Sequence, residues 1–406
     1  MPDYDVIVAG GGSAGVAAAV SAARAGARTL LVERAGVLGG QAPLALVHSI
    51  CGLYHLADDG PPRFANRGFA EEFATRLVAH GGAHGPVQMG RVWVLLTRPA
   101  AVAALAATIA GETPGLTVLR DTEVAAASGH TLTLRRSPTA PETPAPDLVA
   151  TGRCLVDATG DGWLAARLGA PFEQTPADRL QRPAYIFGLR EVEAGRLGDE
   201  ARLALARQIV GAVQQGLLPA GALGATVRAM SPFDGVFVSI DLSAGPGYDP
   251  TDAGQIAALH AEGRALAGEL TSFLRETTEG FARCALAEQP AQIGVRESRR
   301  IVGQYRVEAA DLECGASFED GVALATWPME LRETNRGPRL RYPPGGRAAQ
   351  VPLRALRFRD LEHCFMAGRC LSASHEAQAS LRVIGTCLAT GEAAGHAAAR
   401  QALAQR

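Results

Sequence analysis

Residues Asp5–Arg34 read DVIVAGGGSAGVAAAVSAARAGARTLLVER. The stretch opens on an apolar run, Val6–Ala9, with the length and composition of a buried strand. Gly10, Gly12 and Gly15 follow, and then an alanine-rich segment that predicts a helix. A second apolar run, Thr29–Val32, ends in Glu33. Strand, glycine turn, helix, second strand and acid in this order predict a unit that holds an adenine dinucleotide. Gly10 permits the tight turn, Gly12 lets the backbone approach a pyrophosphate, and Gly15 lets the helix lie close to the strand. The helix N-terminus offers unpaired N–H groups and a partial positive charge to the phosphates. Glu33 is placed to accept hydrogen bonds from the adenosine ribose, and an acid there repels a 2′-phosphate, which argues against NADP. FAD and NAD satisfy this stretch equally.

The remaining composition narrows the classes. The chain has 406 residues, 47% of them hydrophobic, enough for a sizeable core in one large or two interleaved domains. A formal net charge of −2 provides no overall field for nucleic acid or a membrane. No run of about 18 apolar residues occurs, so no transmembrane helix is expected. The opening MPDYDVIV lacks the basic region and cleavage site of a signal peptide, and a cytoplasmic protein is expected. All 39 basic residues are arginine. Without lysine, Schiff-base catalysis, pyridoxal phosphate and a P-loop are excluded. The seven cysteines form no C-x-x-C pair and are odd in number, unlike a disulfide framework, a zinc pattern or a dithiol reductase. No H-E-x-x-H pattern occurs among the nine histidines, and no metal is expected. The expected partner is a small-molecule substrate, with self-association left open.

Beyond the opening unit, residues 66–80 and 99–110 have helical spacing. Short strand-like runs at Thr117–Leu119, Glu123–Ala127 and Thr131–Leu134 precede a proline-rich loop, Ser137–Asp147, and then a strand at Arg153–Ala158. This reads as a hairpin or three-stranded insert. That strand begins CLVDATGDGWLAARLGA (Cys154–Ala170), whose small residues lie where strand C-termini form a ligand crevice. From about 171 to 350 the pattern changes. Ala184–Leu189, Gly235–Leu242, Gly303–Val307 and Val322–Trp327 predict strands, Glu200–Gln215 and Thr251–Glu276 predict helices, and Arg336–Gly346 predicts a loop. The expected organisation is therefore a discontinuous α/β cofactor domain, residues 1–170 and 351–406, with a parallel sheet, flanking helices and a small β-insert. A second, α+β substrate domain takes residues 171–350. It holds no second strand-linked glycine motif, so no separate nicotinamide domain is expected. Leu361–Ala367 predicts a returning strand, followed by a loop from Gly368 and a helix starting near Ser380.

Three segments in one order carry a family resemblance: GGGSAGVAAAVSAARAGARTLLVER, VDATGDGWLAARLGA and FMAGRCLSASHEAQASLRVIGTCLATGEAAG. Together with VLGGQAPLAL (Val37–Leu46) and QIGVRESRRIVGQYRV (Gln292–Val307), they resemble the FAD-dependent oxidoreductases of the glutathione-reductase-like superfamily, in the subgroup related to fumarate-reductase flavoproteins. The resemblance implies FAD as cofactor. It places Gly10, Gly12, Ser13, Ala14, Gly15, Glu33 and Arg34 at the ADP half, and Gly39, Gly40 and Gln41 near the flavin or its ribityl chain. Val124 would meet adenine through its backbone, while Thr159, Gly160 and Asp161 would flank the pyrophosphate. Gly368 and Arg369 would touch the pyrophosphate or ribityl chain, and Val383, Ile384 and Gly385 the isoalloxazine. Relatives commonly carry Gly-Asp at the late ribityl loop. This chain has Gly368-Arg369, so an arginine–phosphate pair is expected in place of the acid.

Candidates for the chemistry flank these segments. LVHSICGLYHL brings His48, Ser49, Cys51, Tyr54 and His55 close behind Gly39–Gln41, offering an acid, a base or a thiol. Arg296, Arg299 and Arg300 suit a carboxylate substrate or an ion-pair network between domains, with Glu297 as an internal partner. On a helix, Arg296 and Arg300 would share a face. His375 is a candidate proton donor at the ring, or a loop-fixing residue, and Arg382 a stabiliser of negative charge at the flavin pyrimidine edge. The leading expectation is hydride transfer between a small carboxylate- or amine-bearing substrate and flavin N5, as an oxidase or dehydrogenase. A flavin monooxygenase using NAD(P)H and oxygen is the alternative enzyme, and a non-catalytic FAD-binding protein the alternative of another class.

Overall fold

The structure, a computed structural model, describes residues 3–58, 60–136, 146–193, 197–228, 235–334 and 337–406. The opening stretch forms β1 (Tyr4–Ala9), α1 (Ser13–Arg24) and β2 (Thr29–Val32), with Val6–Ala9 pairing in parallel with Thr29–Val32. Helix α1 is almost wholly buried because its residues are nearly all alanine, glycine, valine and serine. Such a helix lets other backbones approach closely on every side.

Around this unit, β6 (Leu116–Leu119), β2, β1, β9 (Leu148–Asp157) and β20 (Cys364–Met366) form a parallel sheet in that order. Strand β9 is used twice. Its second half pairs with β1 and β20, and its first half pairs antiparallel with β8 (Thr131–Arg136), which pairs with β7 (Thr122–Ser128). The expected insert is therefore a hairpin grown from the lower end of a parallel strand. The expected proline-rich loop lies mostly outside the described residues.

The last part of the chain returns to α1. Helix α10 (Ile384–Leu403) packs along it, and a Cβ on Gly391 or Gly395 would stand 2.2 Å and 2.1 Å from the backbone oxygens of Ala14 and Ala18. The single expected C-terminal helix is in fact two. Helix α9 (His375–Leu381), capped by Ser374, stops at Arg382, and α10 starts after the extended Val383.

A second antiparallel sheet, β12 (Thr226–Arg228), β13 (Val236–Asp241), β11 (Ala184–Arg190) and β14 (Ala285–Glu288), carries its own core under α6 (Asp199–Gln214) and α7 (Ala253–Thr277). A third sheet of β3 (Ser49–Ile50), β5 (Val92–Thr97) and β4 (Ala83–Met89) has an inner face of Val92, Val94 and Leu96. Two-stranded pairs join β10 (Phe172–Glu173) to β15 (Arg300–Ile301), β16 (Gly321–Ala325) to β19 (Ala349–Pro352), and β17 (Met329–Leu331) to β18 (Arg339–Arg341). The remaining helices are α2 (Gln41–Leu44), α3 (Phe69–Ala79), α4 (Pro99–Glu112), α5 (Trp163–Arg167) and α8 (Ala309–Cys314).

Two expected elements differ. Gly303–Val307 forms only isolated bridges to Phe358 and Ala373, since its partners are loops rather than a strand. Part of the expected 336–346 loop is β18, which pairs with β17. Ile301, Val307, Ala323, Ala325, Met329 and Ala349 belong to the same core as α1 and the parallel sheet.

Candidate active site

A cleft of about 890 Å³ opens beyond the C-terminal ends of β1, β2 and β9, the position where doubly wound sheets receive ligands. One end is built from backbone. Gly10 takes φ +97°, and a Cβ there would collide with the Ala158 carbonyl oxygen at 2.5 Å. Gly12 caps α1 with no side-chain hydrogen bond to the first turn. Gly39 N–H donates to the Gly11 carbonyl at 2.9 Å and braces the loop from behind. Buried Glu33 accepts from Gly11 N–H at 2.5 Å and from Ala35 N–H at 2.7 Å, and burial pushes its carboxyl upward. Asp157 fixes the neighbouring turn by accepting from Thr159 N–H at 3.0 Å, the Thr159 hydroxyl at 2.7 Å and Ala165 N–H at 2.8 Å.

All but four of the cofactor residues expected from sequence line this cleft. Gly15 stands behind it, where a Cβ would sit 1.7 Å from the Gly10 carbonyl oxygen. Gly39 stands behind it too. Val124 is buried on β7, away from the cleft. Gly385 is packed against Gly52 and its N–H donates to the Cys51 carbonyl at 2.9 Å, so this amide serves the protein rather than a ligand. Arg369 lines the cleft, but it is an ion-pair partner of Asp161 at 2.6 Å and also donates to the carbonyls of Gly160 and Val295. The guanidinium expected to meet a phosphate is thereby engaged within the protein.

The other end is built from side chains. His48 is buried, stacks on Phe237 at 4.3 Å, and its Nδ1 lies 3.1 Å from the Leu46 carbonyl. A carbonyl only accepts, so Nδ1 carries the proton and Nε2 keeps its lone pair. Burial, with the nearby Arg228 charge adding to it, lowers the pKa to about 4, so the imidazole is neutral at ordinary pH. The Cys51 thiol is pushed up to about 12, by burial first and then by Glu330, and is no thiolate. Arg296, Arg382, Arg228, Arg202 and Arg332 line this end with Glu330, and buried Asp241 pairs with Arg296 at 2.8 Å and with Arg332 at 2.9 Å. Sequence reasoning missed Arg228, Glu330 and Arg332. The alternation in Met329-Glu330-Leu331-Arg332 was the available signal, since Met329 and Leu331 are buried while Glu330 and Arg332 share the opposite face.

The structure moves other candidates away. His55 is not in the cleft wall, and its backbone pairs with Arg63. Residues 295–299 form no helix, and the three arginines diverge. Arg299 stacks on Trp163 and Phe172, and Arg300 is buried in an ion pair with Glu297. His375 faces a separate small cavity. Its Nδ1 is 2.8 Å from Glu297 and its Nε2 3.0 Å from Glu333. Burial opposes its protonation, but the two carboxylates outweigh burial and raise its pKa. His375 holds loops together. Among the described residues no group of three His, Cys, Asp or Glu could hold a metal.

The sequence profile of a family described as FAD dependent oxidoreductase matches residues 5–405. The chain belongs to this family. FAD is therefore its cofactor, and the chain carries a Rossmann-like FAD-binding domain and a second domain. No helix among the described residues is long and apolar enough to cross a membrane. Solved structures of similar fold include AlpK, with 14% identity over 97% of this chain and a TM-score of 0.45. The Diels-Alderase PyrE3 of pyrroindomycin biosynthesis is 17% identical over 74% of this chain, with a TM-score of 0.39. A geranylgeranyl bacteriochlorophyll reductase-like protein from Thermoplasma acidophilum is 13% identical over 99% of this chain and 78% of its own length, with a TM-score of 0.43. The chain spans 60% of AlpK and 57% of PyrE3.

The glycine end fits FAD. At Gly12 an added Cβ would meet nothing closer than Gly40 Cα at 3.9 Å, so the protein itself does not require glycine there. A pyrophosphate approaching the N-terminus of α1 does require it.

Proposed function

We propose that FAD lies extended in this cleft and that the enzyme moves a hydride between a small organic substrate and flavin N5. Gly10, Gly12, Ser13 and Ala14 would hold the pyrophosphate on the N-terminus of α1, and Glu33 the adenosine ribose. Gly368, Val383 and Ile384 would face the ring end. When bound, FAD supplies the two-electron chemistry, and the protein supplies orientation and electrostatics. The kinship with fumarate-reductase flavoproteins rests on the sequence segments.

The observation that carries this reading is a neutral histidine and a surplus of arginine at the far end of the cleft that begins at the glycine turn. His48 Nε2 is an acceptor for the proton a substrate gives up as its hydride leaves. Its orientation is fixed by the Phe237 stack and the Leu46 carbonyl, so no reorientation precedes transfer. The arginines favour negative charge developing at the ring or on the substrate. Cys51 stays protonated and packs rather than reacts.

The test is anaerobic reduction of the bound flavin by a panel of small acids, amines and alcohols. Bleaching by substrate alone supports hydride transfer. Bleaching only by NADH, with oxygen consumed alongside substrate, replaces it with hydroxylation. Failure of every reductant to bleach the flavin replaces it with a non-catalytic role.

A further inference from the structure

The five arginines at the far end of the cleft are not equivalent. Arg296 donates to the Arg182 carbonyl at 2.5 Å and to Asp241 at 2.8 Å. Arg332 is held between Asp241 at 2.9 Å and Glu330 at 2.8 Å. Both are framework. Arg228 has no hydrogen-bond or ion-pair partner among the described residues, although it is half-buried and faces the cleft. Arg382 is half-buried on the break between α9 and α10. Among the described residues its Nη2 makes two long contacts, 3.3 Å each, to Gln181 Oε1 and the Glu330 carbonyl, and its Nε is buried with no acceptor. A guanidinium half withdrawn from water with weak partners is costly, and an anion entering the cleft would offset that cost. Both side chains line the same cleft, Arg382 beside the Glu330 carbonyl and Arg228 on the strand position opposite Phe237.

The surroundings define what enters. Asp241 and Glu330 are engaged by Arg296 and Arg332, which leaves the charges of Arg228 and Arg382 turned to the cleft. Glu330 is itself covered by Arg332 and by Trp327 Nε1–H at 3.0 Å. Beside the arginines the wall is apolar: Val92, Val94 and Leu96 of β5, with Leu340 and Tyr342. Resting on the oxidoreductase reading for the word substrate, we propose that Arg228 and Arg382 receive the carboxylate of a substrate whose body is apolar or aromatic. The guanidinium fork suits the two oxygens of a carboxylate, and the apolar wall beside it suits the organic body that carries one.

The experiment uses the FAD-loaded protein. Phenylacetate, phenylacetamide and acetate are titrated by calorimetry and by tryptophan fluorescence, with the visible flavin band recorded throughout. Phenylacetate is expected to bind at least about tenfold more tightly than its neutral amide and more tightly than acetate. Arg228→Gln and Arg382→Gln each remove the preference for the acid, and Arg228→Lys keeps part of it. Equal binding of acid and amide, no binding of either, acetate binding as well as phenylacetate, or an unchanged preference in well-folded Arg228→Gln overturns the inference. These outcomes leave the flavin band intact. An unmutated protein that takes up no FAD counts instead against the oxidoreductase reading.

Discussion

The two ends of the cleft are made of different material. The end at Gly10, Gly12 and Glu33 is almost entirely backbone, drawn from one continuous stretch of sequence and braced by Gly39 and Asp157. The end at His48, Arg228, Glu330 and Arg382 is side chain, drawn from four segments that meet only when the chain has folded. The first recognises what dinucleotides have in common, a pyrophosphate and a ribose. The second recognises what distinguishes one substrate from another. A common ligand permits a fixed local motif, whereas a particular one calls for a constellation assembled from separate elements.

Mutations at the two ends should fail in different ways, beginning with the largest effect. Gly15→Val places atoms where the Gly10 carbonyl oxygen stands 1.7 Å from the first added carbon. Strand and helix must separate, and we expect loss of the cooperative thermal transition, a destabilisation of more than about 3 kcal/mol. His48→Gln, at the side-chain end, should leave flavin content and melting intact at pH 7 and slow anaerobic flavin reduction by substrate by roughly 100-fold, followed by stopped-flow absorbance.

The two buried histidines sharpen the contrast through pH. His48 has a folded pKa near 4, below its unfolded value near 6.5. The unfolded chain therefore binds the extra proton first, and stability falls as pH drops from about 6.5 to 4, by up to roughly 3 kcal/mol. His375 is the reverse. Its pKa is raised between Glu297 and Glu333, so its contribution is complete below its unfolded pKa and is lost as pH rises through the folded one. Thermal melts of His48→Gln and His375→Gln from pH 4 to 9 should each flatten one slope, on opposite sides. The smallest effect concerns thiols. With its pKa near 12, Cys51 should stay unmodified by iodoacetamide at pH 8, whereas exposed Cys314 reacts, as peptide mapping would show.

This division also explains what could be read from sequence. Val6–Ala9, Gly10, Gly12 and Glu33 announce themselves because spacing along the chain equals spacing in space. Thr159–Asp161 and Gly368 were legible for the same reason, as ends of strands β9 and β20. Arg228 was not, being one arginine among many until β12 pairs with β13 and sets it opposite Phe237, the ring under His48. Glu330 and Arg332 needed the β17 alternation to be recognised within a three-residue strand. For His375 the sequence left a ring-facing and a loop-fixing role open, because its partner acids, Glu297 and Glu333, are 78 and 42 residues away. Gly385 was misjudged because the Cys51–Gly52 segment covers it from the far side of the sequence.

Gly12 offers the most direct trial of the account, because the protein leaves space for a Cβ there and only the cofactor excludes one. Equilibrium dialysis of FAD against the unmutated protein and Gly12→Ala, with far-UV circular dichroism on both, decides it. The account predicts one FAD per chain, with binding weakened or lost in a Gly12→Ala protein that remains folded. A folded Gly12→Ala variant that binds FAD as tightly as the unmutated chain would contradict it.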